Sequence, residues 1–275
     1  MNDDLKISFL GGGNMASALV GGLIQRGFNA KAIQAVEPAE LARKRLGEAF
    51  GIHAAAQPDV SSLSCDVLVL AVKPQQMKAA LAPISGKLGR DTVVISVAAG
   101  LRLADLSRWL GGHEKLIRAM PNTPALIGCG VTGLFAHPSV SAAGRAAAEA
   151  VLSAVGSVVW VDDEVQIDAI TAVSGSGPAY VFHFIEALEA AACTLGFDQA
   201  TARQLAVDTV FGAARLAVES SEPPAVLRER VTSPGGTTAA ALASLAESGF
   251  IEIVERAVRA AEARGRELGD ALGKD

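Results

Sequence analysis

Hydrophobic and polar positions follow two alternating patterns along the first 162 residues. Short apolar runs, such as residues 7–10, 67–72 and 92–97, are separated by longer segments in which apolar residues recur every three or four positions. Continuous apolar runs are typical of strands buried on both faces, and the longer segments are typical of amphipathic helices. The alternation predicts an α/β domain with a doubly wound, mostly parallel sheet. The other predicted strands are 32–37, 116–119, 130–135 and 158–161, and the predicted helices are 14–26, 38–50, 75–83, 103–110 and 138–154.

Beyond residue 162 the pattern contains no convincing strand. Glycines and prolines, among them Gly196, Gly249 and Pro234, divide the remainder into segments with helical periodicity. We therefore predict two domains, an α/β domain over 1–162 and an all-α domain over 163–275. The predicted helices of the second domain are 163–171, 178–195, 199–219, 225–230, 237–247 and 250–268.

One predicted helix of the second domain is apolar on nearly every side over residues 180–185. A helix that is apolar all round must be buried, and a domain of about 110 residues offers limited burial by itself. We therefore expect a second subunit to cover this helix; the alternative is an ordinary core helix within one chain. His183 lies between Phe182 and Phe184, and these neighbours favour a buried structural histidine over a proton donor.

Composition excludes several classes of function. The net charge is −5 and no basic run occurs, which argues against a nucleic-acid surface. Cys65, Cys129 and Cys193 are too widely spaced for a metal or disulfide framework, so we expect reduced thiols, no metal and a cytoplasmic location. Residues 1–4 lack the shape of a signal peptide, and the uncharged stretch 119–144 contains too many prolines and glycines for a membrane span.

A glycine turn follows the first predicted strand. Gly11, Gly13 and Ala16 fit the spacing G-x-G-x-x-[G/A], and Asn14 and Met15 complete the turn. In such a turn the first glycine permits the bend, the second lets a pyrophosphate approach the backbone, and the small third residue lets the helix pack on the strand. The alternative is an ordinary strand-to-helix turn.

The second predicted strand strengthens the case for a dinucleotide site. This strand ends at Glu37. In dinucleotide-binding domains an acidic residue roughly 20 residues beyond the glycines binds the ribose, and Glu37 lies close to that spacing. Strand, glycine turn, helix and acidic residue together predict a Rossmann-type domain. A carboxylate at Glu37 favours NADH, because it would repel a 2′-phosphate. Arg43, Lys44 and Arg45 follow on the next helix and would partly offset this, so both NADPH and NADH stay open.

Ligands of open α/β sheets bind beyond the carboxyl ends of the strands. We therefore expect Ala71, Val72, Lys73 and Pro74 to border the cofactor, and Ala98, in the segment 97–100, to lie near the nicotinamide. The alternative for Lys73 is a solvated loop lysine.

Asn122 follows another predicted strand and carries an amide that could orient the nicotinamide or the substrate. The alternative is a turn residue between two prolines. The small residues of 174–180 fit either a substrate or cofactor wall or a tight subunit contact.

The stretch 231–240 is the second informative motif. Ser233, Thr237 and Thr238 surround a Gly-Gly pair just before a predicted helix. Accessible backbone N–H groups and hydroxyls at a helix start form a carboxylate receptor without any cation. Helix capping by Ser or Thr is the alternative, but capping needs one hydroxyl and no Gly-Gly.

Over essentially its whole length the chain resembles the pyrroline-5-carboxylate reductases. The resemblance rests on residues 11–16, 71–74, 96–100, 118–124, 174–180 and 231–238, of which the last is the most specific. It implies a Rossmann domain and a helical domain that interlocks with a partner subunit, often in assemblies of five dimers. It also implies NADPH or NADH as cofactor and a cyclic imine with one carboxylate as substrate.

The resemblance also assigns individual residues. The loop 11–15 would hold the pyrophosphate, and Ser233, Gly236, Thr237 and Thr238 would hold the substrate carboxylate. We expect Thr238 to be the catalytic residue as well, because the turn would fix the C=N bond against the nicotinamide. Some family members place a carboxylate near the imine nitrogen, but here Ser221 falls at that place and Glu222 is displaced from it.

Two rival functions remain at this stage. The β-hydroxyacid dehydrogenases share the layout but use a lysine of the second domain as acid–base, whereas this chain has no lysine between Lys115 and Lys274. A nucleotide-binding regulator without turnover would need no carboxylate loop. Both are therefore disfavoured relative to reduction of an imine.

Overall fold

The computed structural model describes residues 5–273, and its first compact unit is built on an eight-stranded sheet. This unit runs to Ser176 and includes the chain again from Ala261 onwards. The strands are β1 (Ile7–Leu10), β2 (Ile33–Val36), β3 (His53–Ala55), β4 (Val67–Leu70), β5 (Val93–Ser96), β6 (Leu116–Met120), β7 (Gly130–Ala136) and β8 (Gly156–Trp160).

The strand order is β3-β2-β1-β4-β5-β6-β7-β8, and every neighbouring pair is parallel except β6 and β7. The order reverses between β1 and β4, where Phe9 pairs with Ala35 on one side and Val69 on the other. A reversal of this kind opens a crevice at the carboxyl ends of the strands. The predicted doubly wound, mostly parallel sheet is confirmed.

Helices cover both faces of this sheet. Ile7, Phe9 and Val69 belong to the buried cluster on one face, and Leu68 and Leu70 belong to the cluster on the other, as the two-residue period of a strand requires. The helices of the unit are α1 (Asn14–Gln25), α2 (Glu40–Phe50), α3 (Val60–Leu63), α4 (Pro74–Leu81), α5 (Leu103–Trp109), α6 (Ala142–Leu152) and α7 (Gln166–Ile170).

The sequence pattern missed β3 and α3. β3 has three residues, none of them fully buried, and lies at the edge of the sheet beside β2. Because an edge strand needs no continuous apolar run, its sequence carries little signal. α3 is one four-residue turn that begins at a capping box formed by Asp59 and Ser62.

A buried ion-pair network ties the last part of this unit to the sheet. The guanidinium of Arg118 on β6, 3% exposed, lies 2.9 Å from the Asp168 carboxylate on α7 and 3.2 Å from that of Glu164. Glu164 also accepts a hydrogen bond from the Leu103 N–H at the start of α5, at 2.8 Å. In the sequence, Arg118 is visible only as part of the segment 118–124, without its partners.

The second compact unit, Gly177–Ala260, consists of helices. This division follows packing, whereas the boundary predicted at residue 162 follows the change from strand to helix patterning. Residues 163–176, which include α7 and the π-helical turn Thr171–Gly175, lie in the first unit. The helices are α8 (Gly177–Thr194), α9 (Gln199–Glu219), α10 (Pro224–Arg230), α11 (Thr237–Glu247) and α12 (Phe250–Leu272), the last of which continues into the first unit.

Little of the second unit is buried within one chain. Ala202 and Ala206 on α9 are its two fully buried residues, while Phe182 on α8 and Phe211 on α9 are 61% and 64% exposed. The prediction of a buried His183 is wrong for the single chain: its side chain is 86% exposed and pairs with Glu186. Its apolar neighbours did not bury it because they lie exposed themselves.

In the described range, none of the helices taken singly has the length and apolar character needed to cross a membrane. Thr237–Glu247 and Phe250–Leu272 meet those criteria only as a pair, with a bend of 51° between them.

Candidate functional site

The turn after β1 depends on a glycine with no room for a side chain. Gly11 has a left-handed φ of +100°, and a Cβ at this position would lie 2.6 Å from the carbonyl oxygen of Ala71. Its N–H donates to the carbonyl of Val36, and the Ala71 N–H donates to the carbonyl of Leu10, both at 2.8 Å. The ends of β1, β2 and β4 therefore meet around one backbone position, where only glycine fits.

The N-terminus of α1 is open. Gly13 has an ordinary φ of −73°, and a Cβ built on it would meet nothing within 4 Å. The fold by itself therefore does not require glycine here. No side chain caps the helix, and its first turn, which begins with Asn14 and Met15, contains no acidic residue. The free N–H groups and the positive helix end fit a pyrophosphate that approaches over Gly13.

The Glu37 carboxylate braces the turn. Its Oε2 accepts from the Gly12 N–H at 2.7 Å, and its Oε1 accepts from the Ala39 N–H at 2.8 Å. Each oxygen keeps a second lone pair for a further donor. Arg43 donates to the backbone carbonyls of Glu37 and Pro38, so its guanidinium lies beside the carboxyl end of β2.

The neighbouring basic residues of α2 lie further out. Lys44 pairs with Glu40 at 2.8 Å on the exposed face of the helix, and Arg45 is exposed. Of the three cations considered from the sequence, Arg43 is therefore the one that contacts the backbone next to Glu37.

The loops after β4 and β5 lie side by side. Ala71 and Val72 are half-buried, Lys73 is the exposed N-cap of α4, and Pro74 is the first residue of that helix. The N–H of Val97 donates to the carbonyl of Leu70 at 3.2 Å. The following Ala98 is buried, 8% exposed. These residues continue the crevice edge formed by the glycine turn.

The amide of Asn122 joins three segments. Its Nδ2 donates to the carbonyl of Ser174 at 3.1 Å, and its Oδ1 accepts from the N–H of Val131 at 3.0 Å. Ser174 lies in a π-helical turn, Thr171–Gly175, that ends the first unit. The side chain is buried and already used by the backbone, and one amide hydrogen remains for a ligand.

The start of α11 repeats the open arrangement of α1. Its N-cap is Gly236, with no side-chain capping bond and no acidic residue in the first turn. Within residues 5–273, the hydroxyls of Ser233, Thr237 and Thr238 have no hydrogen-bond partner. The capping alternative therefore does not describe this turn, which offers hydroxyls and N–H groups to an anion.

The segment before α10 carries a carboxylate that is already paired. The guanidinium of Arg230 contacts Glu222, and the Glu222 N–H donates to the hydroxyl of Ser220. Ser221 is exposed. Among the described residues, no group of three His, Cys, Asp or Glu side chains is arranged to hold a metal, and Cys65, Cys129 and Cys193 are all free thiols.

These features define a class of protein: a Rossmann-type nucleotide-binding domain followed by a helical domain with an uncapped, hydroxyl-rich helix start. Two family models match the chain. One describes an NADP oxidoreductase, coenzyme F420-dependent, and matches residues 6–100; the other describes pyrroline-5-carboxylate reductase dimerisation and matches residues 164–268.

Relatives match over nearly the full length. The chain is 45% identical to a pyrroline-5-carboxylate reductase of Pseudomonas aeruginosa over 269 residues, covering 98% of each chain. It is 35% identical to the Arabidopsis thaliana enzyme of that name, covering 98% of this chain and 97% of the relative. The chain belongs to the pyrroline-5-carboxylate reductase family, as the resemblance of its motifs implied.

Solved structures agree with this assignment. A pyrroline-5-carboxylate reductase from Coxiella burnetii superposes with a TM-score of 0.92 at 41% identity, covering 96% of this chain and 98% of the other. The Plasmodium falciparum pyrroline carboxylate reductase with NADP bound has a TM-score of 0.84 at 28% identity, covering 98% and 100%.

The open space over Gly13 generates a prediction. Gly13→Ala and Gly13→Val should fold normally, because the backbone angles are ordinary and the fold leaves the position empty. Affinity for NAD(P)H should be highest in the parent, lower in Gly13→Ala and lowest in Gly13→Val, because each added carbon would occupy the place of the pyrophosphate. Fluorescence titration with NADPH and NADH measures the affinity, and thermal unfolding verifies the fold. Parental affinity in the valine variant would refute the phosphate assignment.

Proposed function

We propose that this chain reduces 1-pyrroline-5-carboxylate to L-proline with NADPH or NADH, the last step of proline biosynthesis. The observation that carries the proposal is the start of α11, where three hydroxyls without partners surround an uncapped helix N-terminus. Such a turn suits a small carboxylate, which hydroxyl and backbone N–H donors can bind without a cation. The named relatives support the same reaction.

The cofactor lies along the carboxyl ends of the strands in this proposal. The turn of Gly11, Gly13, Asn14 and Met15 holds the pyrophosphate through backbone N–H groups, and Glu37 faces the adenosine ribose. The remaining cofactor-binding residues follow β4, β5 and β6, and they are Ala71, Val72, Lys73, Pro74, Ala98 and Asn122. The open α1 N-terminus and the adjacency of these loops support the assignment.

The substrate carboxylate binds to the α11 turn. Ser233, Thr237 and Thr238 donate hydroxyl hydrogens and Gly236 contributes its backbone. A Cβ at Gly236 would lie 2.5 Å from the Ser233 hydroxyl, so a glycine keeps that hydroxyl in place. Thr238, half-buried at the start of the helix, is the residue proposed to touch the reacting molecule.

The chemistry needs little acid–base assistance. A protonated C=N bond is electrophilic, so a hydride from nicotinamide C4 bonds to the imine carbon while the π electrons move to nitrogen. The products are the secondary amine and the oxidised cofactor. Catalysis is then mostly positioning, with the reacting carbons about 3–3.5 Å apart. The second unit accordingly offers a neutral hydroxyl cluster rather than a lysine or a buried histidine.

The polypeptide forms a homodimer through its helical domain, 163–275, and the dimers assemble further, with five dimers as the proposed complete particle. The matching dimerisation family and the exposed phenylalanines of α8 and α9 support the dimer. The cytoplasm is the proposed location, in keeping with three free cysteines. The nucleotide-binding domain comprises 1–162.

An NAD(P)H oxidation assay with pyrroline-5-carboxylate tests the main proposal. We expect substrate-dependent loss of absorbance and formation of proline. Turnover of a β-hydroxyacid with NAD(P)⁺ in place of the imine would support the dehydrogenase rival. Cofactor binding without turnover of either substrate would support a regulator.

Thr238 provides the test of substrate recognition. Thr238→Ala removes a hydrogen bond to a charged group, worth roughly 1.5–3 kcal/mol, so kcat/KM for the imine should fall about ten- to hundredfold. Thr238→Ser keeps the hydroxyl and should retain most of the activity. Binding of proline-like carboxylates should weaken in parallel, with NADPH affinity unchanged. Equal kcat/KM in the alanine and serine variants would remove Thr238 from the site.

Glu37 provides the test of cofactor choice. Glu37→Gln keeps the size of the side chain and removes the charge that would repel a 2′-phosphate, and its single amide oxygen accepts from either the Gly12 or the Ala39 N–H but not from both. The ratio of NADPH to NADH kcat/KM should rise about tenfold, equivalent to about 1.4 kcal/mol. Glu48→Gln removes the same charge from an exposed position of α2 and serves as the control. If both variants keep the parental ratio, Glu37 does not face the ribose.

Phe184 tests the dimer. Phe184→Glu places an unpaired charge in the proposed interface at a cost of several kcal/mol, so the variant should be monomeric or unfolded. Leu41→Glu, at a 79% exposed position of α2, introduces the same charge away from that interface and should stay dimeric. Light scattering measures the mass. A dimeric Phe184→Glu protein would contradict the proposed interface.

A further inference from the structure

We propose that the C-terminal end of α12 is a clamp that positions the loop after β5, residues 97–103, and thereby sets the affinity for the cofactor. Gly269 is the positioning residue. The inference rests on the proposed function, which places Ala98 at the nicotinamide end of the dinucleotide. All the contacts involved lie within the first compact unit.

The central contact is a close approach of two backbones. Gly269 is buried in α12, and a Cβ on it would lie 2.8 Å from the carbonyl oxygen of Gly100. On the other side, Gly100 has a left-handed φ of +81°, and a Cβ there would lie 3.5 Å from the Gly269 nitrogen. Glycine at 269 is therefore required by proximity, since both partners are backbone and neither can rotate away.

Further contacts of the last helical turn surround this pair. The guanidinium of Arg102 donates to the Asp270 carboxylate at 2.6 Å, and Arg108 on α5 donates to the carbonyl of Gly273 at 3.0 Å. Leu272 packs against the buried cluster that includes Leu101 and Leu103. The exposed ion pair contributes little by itself, so the apolar contact of Leu272, which the close Gly–Gly approach permits, carries most of the attachment.

The same loop is also held at both of its ends by hydrogen bonds. At one end the N–H of Val97 donates to the carbonyl of Leu70 on β4, and at the other the N–H of Leu103 donates to Glu164. Between these anchors, Ala98 is buried and Ala99 is exposed at the edge of the crevice. A displacement of Gly100 by α12 is therefore transmitted to Ala98 and Ala99, because the ends of the loop cannot follow it.

This arrangement gives α12 a role beyond packing. The first four residues of the loop, 97–100, are Val, Ala, Ala and Gly, and none of them has a side chain long enough to adjust its own contact with a dinucleotide. The position of this loop is therefore set by the segments that pack against it. The clamp supplies that position through contacts separate from the two hydrogen bonds that hold the ends of the loop.

The test compares two glycines of the same helix in the full-length enzyme. Gly269→Ala adds a methyl group against the Gly100 carbonyl, whereas Gly265→Ala adds it where nothing lies within 4 Å. In Gly269→Ala we expect the Kd for NADPH to rise about tenfold and the KM for NADPH to rise by the same factor. The reason is that small displacements of binding residues are costly. Gly265→Ala should keep both constants and should be at least as stable as the parent.

A structural role alone would lower the Tm of Gly269→Ala without changing the Kd for NADPH measured well below that temperature, and this result would overturn the inference. If Gly269→Ala does not fold, Leu272→Ala is the second variant, with the same expected weakening. If Leu272→Ala then bound NADPH with the parental affinity, the proposed clamp would be wrong. If the parent itself binds neither NADPH nor NADH, the proposed function fails, whereas a binding parent with unaffected variants contradicts only the clamp.

Discussion

The approach of the β1–α1 turn to the end of β4 is the constraint on which the site depends. Gly11 brings its α-carbon so close to the Ala71 carbonyl that no side chain fits, and its left-handed backbone turns the chain into α1. The carboxyl ends of three strands can then converge on one point. Glu37 secures the convergence by accepting from the Gly12 N–H. A substitution at Gly11 would therefore disturb the cofactor crevice before it disturbed the distant core.

The N-termini of α1 and α11 share one feature: each follows a glycine and has no side-chain cap. Gly13 is the N-cap of α1 and Gly236 is the N-cap of α11, and neither helix has a side-chain cap or an acidic residue in its first turn. An uncapped helix end leaves N–H groups without partners, which is costly unless water or an anion satisfies them. One turn suits a pyrophosphate and the other, with three hydroxyls, suits a carboxylate. A family that reduces a reactive imine needs such fixed anchors more than it needs strong acids or bases.

The two units differ in how they obtain their burial. The first has two continuous apolar clusters, one on each face of its sheet. The second buries Ala202 and Ala206 completely but leaves Phe182 and Phe211 largely exposed in a single chain. Apolar surface of this kind favours association, and the matching family model describes dimerisation. The helical unit therefore leaves exposed, in a single chain, apolar surface of the kind that the sheet unit buries by itself.

The local pattern of apolar and polar residues was sufficient to locate most strands and helices, and consecutive residues were sufficient to locate the two motifs. Apolar runs located seven of the eight strands, and periodicity with glycine and proline breaks gave the bounds of α9 and α11. The glycine turn and the Gly-Gly-Thr-Thr stretch were visible because their chemistry lies in consecutive residues. The exposed edge strand β3 and the single turn α3 were not, because neither is long or apolar enough to produce a periodic signal.

Contacts between distant parts of the chain were decided by tertiary structure alone. The brace from Asn122 to Ser174 and Val131, the buried pairing of Arg118 with Asp168 and the approach of Gly269 to Gly100 each join residues far apart in sequence. Periodicity reports which face of an element is apolar, but it carries no information on which remote backbone that face will meet. The sequence by itself therefore determined the class of fold and the chemistry of the turns, and the folded chain determined which residues hold those turns in place.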